Sequence, residues 1–291
     1  MKRHIAGLAC AATALLSAPA LAPAAHAQAA DPVTALKSRF GNGRGVNFVD
    51  TTKFHSPAGN MVFAQRKGVF QFGTSGISAS DQTGKLRIKK SDLDALGVGE
   101  STEDENLSKM FAGLTKPERV IRIKNTSYVS GGVLGEFLPE DKTWVRIPME
   151  MMGTIGPVSQ FVNVAEPATL KALLAHATTK RAGLYSGKIT FGELQKVSPW
   201  FRASMISLAT GSAAKTVVGW KLYVGADQLA TRLTTTYSMA GMGKTSMTVD
   251  TRYTGWGAKV TVKAPPAGEV AELKDLQEGA ETATSIPLFG N

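Results

Sequence analysis

Few residues of this chain have the type and spacing of a catalytic motif. Ser212 and Lys215 match the S-x-x-K pattern of penicillin-recognising enzymes, in which the serine is the nucleophile. Those enzymes also carry K-T-G and S-D-N motifs. Here Lys244-Thr245-Ser246 is only a partial match to the first, and the second does not occur. A serine enzyme using Ser212 and Lys215 is therefore a remote alternative for the function.

The motifs that would bind a nucleotide or a metal are incomplete. Gly243-Lys244-Thr245 ends like a phosphate-binding loop, but Ser238 stands where the first glycine of that loop belongs. Beyond residue 27 the histidines are His55 and His176, and neither lies in an H-E-x-x-H motif. We therefore expect no catalytic residue, no cofactor and no metal, and predict that the protein is not an enzyme.

The beginning of the chain has the three-part layout of a secretory signal peptide. A short positive segment, Met1-Lys2-Arg3-His4, precedes an apolar stretch over residues 5–21, and Ala25-His26-Ala27 follows as an A-x-A cleavage site. We expect cleavage after Ala27 and a location outside the cytoplasm, secreted or in the cell envelope. Cys10, the only cysteine, lies within this segment, so we expect neither a lipid anchor at Cys10 nor a disulfide.

The charge of the chain is basic, with 33 Lys and Arg residues, 23 Asp and Glu residues and a formal net charge of +10. Outside the cytoplasm, this balance suits an anionic membrane surface or a cell-wall polymer, and we expect no nucleic acid partner. The alternative is that the charge serves only solubility. Hydrophobic residues make up 43% of the chain, which excludes a disordered protein. We expect a monomer.

The hydrophobic pattern predicts an α+β fold that is mainly antiparallel β. In the last third, four successive segments alternate apolar and polar residues, as expected for a sheet with one covered and one solvated face. The helices must cover the apolar face, since nothing else is left to do so. Helices are predicted over 31–40, 166–178 and part of 193–212, a helical turn over 91–96 and a polar loop over 100–109. Strands are predicted over 46–52, 62–64, 68–73, 119–129, 143–147, 187–191, 217–224, 229–239, 245–253 and 259–264.

Several motifs, in this order and spacing, resemble those of the actinobacterial LppX/LprG-type envelope lipoproteins. The clearest is a strand with the Y-x-x-W-G step, Tyr253 to Gly257, which leads into a last segment closed by Ala264-Pro265-Pro266. The resemblance covers most of residues 31–266. The other matching segments are 72–77 with 80–81, Tyr128 with 142–145, 167–175, and 220–224 with 229–233.

The resemblance implies a LolA-like half-barrel, in which a curved antiparallel sheet wraps around a few helices and an apolar cavity lies between them. It also implies binding of acyl chains of lipids or glycolipids and their transport or presentation at the envelope. The expected organisation is a signal peptide over 1–27, one lipid-binding domain over 28–266 and a polar C-terminal tail over 267–291. The chain departs from the family in lacking a lipidated cysteine after the signal peptide, which suggests a freely secreted or wall-associated carrier.

The residues themselves agree with this function, because a cavity lined by aliphatic side chains suits alkyl chains. The same side chains would serve equally as plain core. We therefore predict a non-catalytic binder of lipid acyl chains. The alternative is an envelope sensor or protein-interaction module on the same fold, with a closed cavity and an exposed apolar patch. The candidate cavity residues are Leu170, Leu174, Trp220, Leu222 and Tyr237.

Overall fold

The structure, a computed structural model, describes residues 31–57, 59–88, 105–204, 211–238 and 244–276. The predicted signal peptide and the predicted helical turn over 91–96 lie outside these ranges. None of the described helices is long and apolar enough to cross a membrane. The helices are α1 Pro32–Lys37, α2 Glu105–Leu114, α3 Gly132–Gly135, α4 Pro167–Ala175, α5 Phe191–Val197 and α6 Pro199–Ala203.

Twelve strands of the described residues form a single sheet in the order β12-β6-β5-β4-β3-β2-β1-β11-β10-β9-β8-β7. Neighbouring strands are antiparallel except β12 and β6, which are parallel. The sheet is curved and does not close, which confirms the predicted class. The strands are β1 Arg44–Ser56, β2 Gly59–Phe72, β3 Ile77–Leu86, β4 Glu118–Ile123, β5 Thr126–Gly131, β6 Trp144–Ile147, β7 Ala177–Arg181, β8 Leu184–Thr190, β9 Val217–Val224, β10 Ala230–Tyr237, β11 Ser246–Lys259 and β12 Val270–Glu272.

The helix starts follow the signals in the sequence. The Asp31 carboxylate accepts hydrogen bonds from the amides of Val33 and Thr34, and Pro32 occupies the first turn of α1. Thr190 and Glu193 form a reciprocal capping box at the start of α5. These local contacts explain where α1 and α5 begin.

Two predicted strands have the wrong boundaries because a turn leaves no break in the alternation. The segment over 119–129 is the hairpin β4–β5, and the chain reverses at Lys124, whose φ of 52° is left-handed. The strand predicted over 259–264 does not exist as a separate element. Instead β11 continues to Lys259 through Gly255 and Gly257, which take φ of 68° and 81° at a bulge opposite β1.

Other elements were missed because their residues carry little periodicity. Strand β3 occupies a patch that reads as turn-rich, and α2 begins within the predicted polar loop over 100–109. The two short strands predicted over 62–64 and 68–73 are one strand, β2. Part of the segment assigned to the C-terminal tail forms β12, which pairs with β6 at the edge of the sheet.

The inner face of the sheet is covered by the helices and by residues 148–166, an irregular segment between β6 and α4 that we call the strap. Within the strap Met152, Ile155, Val158 and Phe161 are at most 5% exposed. Ile155 packs closely on Gly84 of β3, where a Cβ would overlap Ile155 Cδ1 and lie 3.1 Å from Cγ1. The strap therefore fills the space that the resemblance assigns to a cavity.

This packing predicts a coupling between Gly84 and Ile155. We expect Gly84→Ala to lower the free energy of unfolding by about 1–3 kcal/mol through overpacking. Ile155→Val, which removes the overlapping Cδ1, should cost about 1 kcal/mol alone. In urea unfolding, the double variant should lose less free energy of unfolding than the two single variants lose together, by at least about 0.5 kcal/mol.

The control is Gly76→Ala, since a Cβ at Gly76 meets no atom within 4 Å. Additive effects of the Gly84 and Ile155 changes would contradict the packing of the strap on β3.

Candidate functional site

A cluster of buried polar side chains lies on the inner face of the sheet. Thr251, Asp50 and Arg66 stand side by side on β11, β1 and β2. Arg66 Nη2 lies 2.6 Å from Asp50 Oδ2, and each side chain is 2% exposed. Arg66 Nη1 also donates to Gln82 Oε1 at 3.1 Å. A buried ion pair needs further hydrogen bonds to offset its desolvation, so this cluster requires partners from whatever covers the sheet.

The strap supplies those partners through its backbone. Arg66 Nη2 donates to the carbonyl of Gln160 at 3.1 Å, and Gln82 Nε2 donates to the carbonyl of Met152 at 3.0 Å. Thr52 Oγ1 donates to the carbonyl of Val158 at 2.5 Å. The carbonyls of a buried irregular segment need hydrogen-bond donors. The side chains of the sheet supply these donors and at the same time obtain the acceptors that they need.

Gln160 is the strap residue with the most connections. Its Nε2 donates to Thr251 Oγ1 at 3.1 Å, and its Oε1 accepts from Thr235 Oγ1 at 3.1 Å. Its carbonyl also accepts from the indole nitrogen of Trp200 at 2.9 Å. One side chain thus joins the strap to β10 and β11, and its carbonyl joins it to α6.

Two buried carboxyl groups hold the strap near its ends. Glu118 of β4 accepts from the Thr154 amide at 2.8 Å and from Thr154 Oγ1 at 2.6 Å. Glu166 accepts from Ser198 Oγ at 2.5 Å and from the Trp200 amide at 2.8 Å. Burial raises the pKa of Glu118 to about 7 and also raises the pKa of Glu166, because a charged carboxylate loses its hydration there.

Aromatic side chains surround the strap beside the polar cluster. The ring of Phe161 lies 5.4 Å from Phe191, 5.6 Å from Phe201 and 4.9 Å from Tyr237, all edge to face. The Tyr237 hydroxyl donates to the carbonyl of Pro157 at 3.1 Å. Removal of the strap would therefore expose a wall of aromatic and aliphatic side chains with a polar centre.

Among the described residues, two small cavities adjoin the covered face, and each has a volume of about 10 Å³, which is room for about one water molecule. One is lined by apolar residues and lies under α1 near Leu36, Leu170 and Leu222. The other adjoins the polar cluster, and Asn163 lines it. Neither cavity accommodates an acyl chain with the strap in place.

The structure brings together only some of the predicted cavity residues. Leu170 and Leu222 line the apolar cavity, whereas Tyr237 lies against the strap. Trp220 is buried, and Leu174 is partly buried against the core. The five residues line the covered interior, but they do not share one cavity.

The residues of the remote catalytic alternative lie on the surface of the part of the chain that the structure describes. Ser212 precedes an exposed 3-10 turn, Ala213–Lys215, which Lys215 ends, and both residues are exposed. His55 contacts Asn60, and His176 pairs with Glu193 at 2.9 Å on the surface. The described residues contain no group of three His, Cys, Asp or Glu side chains that would hold a metal ion.

The polar cluster was missed from the sequence, although a signal for it exists. In β1 the inward positions are Val46, Phe48, Asp50 and Thr52, so Asp50 shares a face with apolar neighbours. Alternation places Arg66 inward on β2 in the same way. The position of a charged residue on the inward face of a strand could have identified Asp50 and Arg66 separately. It could not have shown that the two residues pair across β1 and β2.

No family model matches the sequence, and no curated protein matches it. Among solved structures, hypothetical protein CT021 from Chlamydia trachomatis is similar at 8% identity, with 82% of this chain and 98% of that chain covered and a TM-score of 0.30. LolA superfamily protein NE2245 from Nitrosomonas europaea is similar at 5% identity, with coverage of 81% and 93% and a TM-score of 0.29.

A DUF1329 family protein from Desulfovibrio piger is similar at 8% identity, with 80% of this chain and 96% of that chain covered and a TM-score of 0.27. Because all three TM-scores lie below 0.5, these likenesses assign neither a family nor a function to the chain. Membership of the LppX/LprG type therefore stays a prediction.

The burial of Glu118 predicts a pH dependence of stability. Its pKa is about 7 in the folded protein and about 4.5 when solvated. The folded protein therefore binds more protons than the unfolded chain between these values, and stability falls as pH rises through this window. In the unaltered protein we expect the free energy of unfolding, measured with urea, to fall by on the order of 3 kcal/mol between pH 4.5 and pH 8. This decrease should be absent in Glu118→Gln.

Glu140→Gln, at an exposed turn position, is the matched control and should keep the pH dependence of the unaltered protein. An unchanged pH dependence in Glu118→Gln would show that Glu118 is not the group that titrates.

Proposed function

We propose that this protein is an exported, non-catalytic binder of an amphiphilic lipid, which takes up the acyl chain between the sheet and its cover when the strap moves aside. The proposal rests on one observation: a large apolar and aromatic inner face is covered by short helices and an irregular strap rather than by a second regular layer. Burial of an alkyl chain on such a face is favourable by roughly 0.8 kcal/mol for each CH₂ group.

The polar cluster favours an amphiphile over a plain hydrocarbon. Arg66, Gln82 and Thr52 each donate a hydrogen bond to a backbone carbonyl of the strap, and each would lose that acceptor if the strap left the inner face. A buried donor without an acceptor costs about 1–3 kcal/mol. A lipid with carbonyl, hydroxyl or phosphate oxygens close to its acyl chain would replace those acceptors, whereas an alkane would not.

Two further donors favour the same class of ligand. Asn163 Nδ2 and Trp220 Nε1 are buried and have no hydrogen-bond partner among the described residues. Asn163 lines the small cavity beside Asp50 and Arg66, so an acceptor oxygen placed there would satisfy it. Trp220 is one of the residues that the sequence places in the cavity.

The alternative, a protein-interaction module, is favoured by the closed interior and by an exposed apolar hairpin. At the β1–β2 turn, Met61 is 44% exposed and Val62 39% exposed, next to the ring pair Phe54–Phe63. Such a hairpin would suit a protein partner without any opening of the interior. Under this alternative the protein carries no lipid.

Native mass spectrometry of the protein from its secreting host, followed by organic extraction, separates the two functions. We expect a stoichiometric adduct that extracts as an acyl lipid. A protein that is bare, and that also fails to take up added phospholipid or glycolipid, would contradict lipid binding and favour the interaction module.

A variant with a loosened strap makes the test sharper. Thr52→Val with Tyr237→Phe removes two hydrogen bonds to the strap, each worth about 1 kcal/mol, while preserving side-chain shape. We expect it to take up a fluorescent acyl lipid about tenfold faster than the unaltered protein. Thr236→Val, on the outer face, is the control and should change nothing.

A further inference from the structure

The outer face of the sheet carries a row of cations, two of which have no carboxylate partner among the described residues. Strand pairing places nine residues side by side across nine neighbouring strands, one from each strand between β7 and β4. Five of the nine are Arg or Lys, and none is acidic. In order, the row is Arg181, Leu184, Tyr223, Arg232, Arg252, Val49, Lys67, Thr83 and Arg119.

The cations of the row are accessible to solvent. The side chain of Arg252 is 70% exposed, that of Arg119 48% and that of Arg232 42%. Arg181 and Lys67 are also exposed, and neither forms an ion pair within the described residues. Val49, in the middle of the row, is 54% exposed. A partner laid along this row would therefore reach all five charges.

Folding alone does not favour this arrangement. Arg232 and Arg252 are directly opposite each other on β10 and β11, and like charges in that position destabilise a sheet. Asp250 offsets part of the repulsion, with an oxygen 2.5 Å from Arg232 and another 4.0 Å from Arg252. One carboxylate thus serves two guanidinium groups, which leaves a positive excess on the surface.

The arginines at two points of the row are held in place. Arg119 donates to both oxygens of Asp81, at 2.9 and 2.7 Å, and lies over the ring of Trp144 at 5.5 Å. Arg232 lies over the ring of Tyr223 at 5.6 Å. Fixed guanidinium groups lose less conformational entropy on binding an anion than free ones do. The adjacent row adds two more cations, Lys221 and Lys85, with Asp250 between them.

We propose that this row binds a linear polyanion bearing phosphate groups, laid across the strands on the outer face. Strands lie about 4.8 Å apart, so the row from Arg181 to Arg119 spans about 38 Å, a length that suits a polymer and not a single anion. This site lies on the opposite face from the proposed lipid site and does not depend on it.

The curvature of the sheet favours a polymer over a membrane. The row runs across the strands, which is the direction in which a curved sheet bends. A flat bilayer would meet only the part of the row at the crest, whereas a flexible chain can follow the whole row. The positive charge that the sequence assigns to solubility or to an anionic partner therefore includes an organised line of cations.

The test is binding of long-chain inorganic polyphosphate to the purified protein, followed by fluorescence anisotropy at several salt concentrations. Five cations that each displace a counterion from a single-stranded polyanion predict a slope of log K against log salt of about −3.5. Inorganic monophosphate at the same phosphate concentration should compete weakly, because it cannot engage the row as a whole.

Arg252→Gln with Lys67→Gln removes two charges from the centre of the row. We expect binding to weaken about tenfold at low salt and the slope to decrease in magnitude by about 1.4. The control is Lys171→Gln with Lys263→Gln, which removes the same charge from exposed positions on α4 and beyond β11. Binding in the control should stay within about twofold of the unaltered protein.

Three outcomes would overturn the proposal: no binding of polyphosphate, an equal loss in the control variant, or binding to phosphatidylglycerol vesicles without binding to polyphosphate. Loss of polyphosphate binding in the row variant should leave acyl-lipid uptake unchanged. The polyanion site and the lipid site can therefore fail separately.

Discussion

The ion pair between Asp50 and Arg66 sets a requirement that the rest of the fold must meet. Both side chains lie on the covered face of the paired strands β1 and β2, and each is 2% exposed. Loss of one partner from such a pair costs about 3–5 kcal/mol, because the other charge stays buried. The sheet therefore needs a cover that presents acceptors to Arg66 and a donor to Asp50. The strap does so through the backbone carbonyl and amide of Gln160.

This requirement explains why an irregular segment, and not a helix, covers the polar cluster. A helix packed on the cluster would keep its carbonyls in its own hydrogen bonds, whereas an irregular segment has carbonyls free to accept from side chains. The apolar residues of the strap fill the space between these bonds, and the two cavities described beside them have volumes of only about 10 Å³ each. An amphiphile could replace the strap, because the strap and an amphiphile both offer oxygen acceptors beside apolar groups.

The alternation of apolar and polar residues predicted those strands whose buried face follows directly from it. Strand β9 has the predicted bounds, and the inward positions Leu233 and Tyr237 of β10 are buried, because alternation in a strand reports burial directly. The strap carries no periodicity, so its path over the sheet followed only from contacts distant in sequence. The cation row could not be predicted for the same reason, since its members come from nine separate strands and only strand register aligns them.

The most direct test of this account is amide hydrogen exchange of the strap with and without a bound acyl lipid. In the closed protein the amide of Met152 donates to the Ala203 carbonyl at 2.9 Å, and that of Thr154 donates to Glu118 at 2.8 Å. If the ligand takes the place of the strap, these amides should exchange faster in the complex, while those of β1 and β2 stay protected. Equal or slower exchange of the strap amides in a saturated complex would contradict displacement and show that the ligand binds elsewhere.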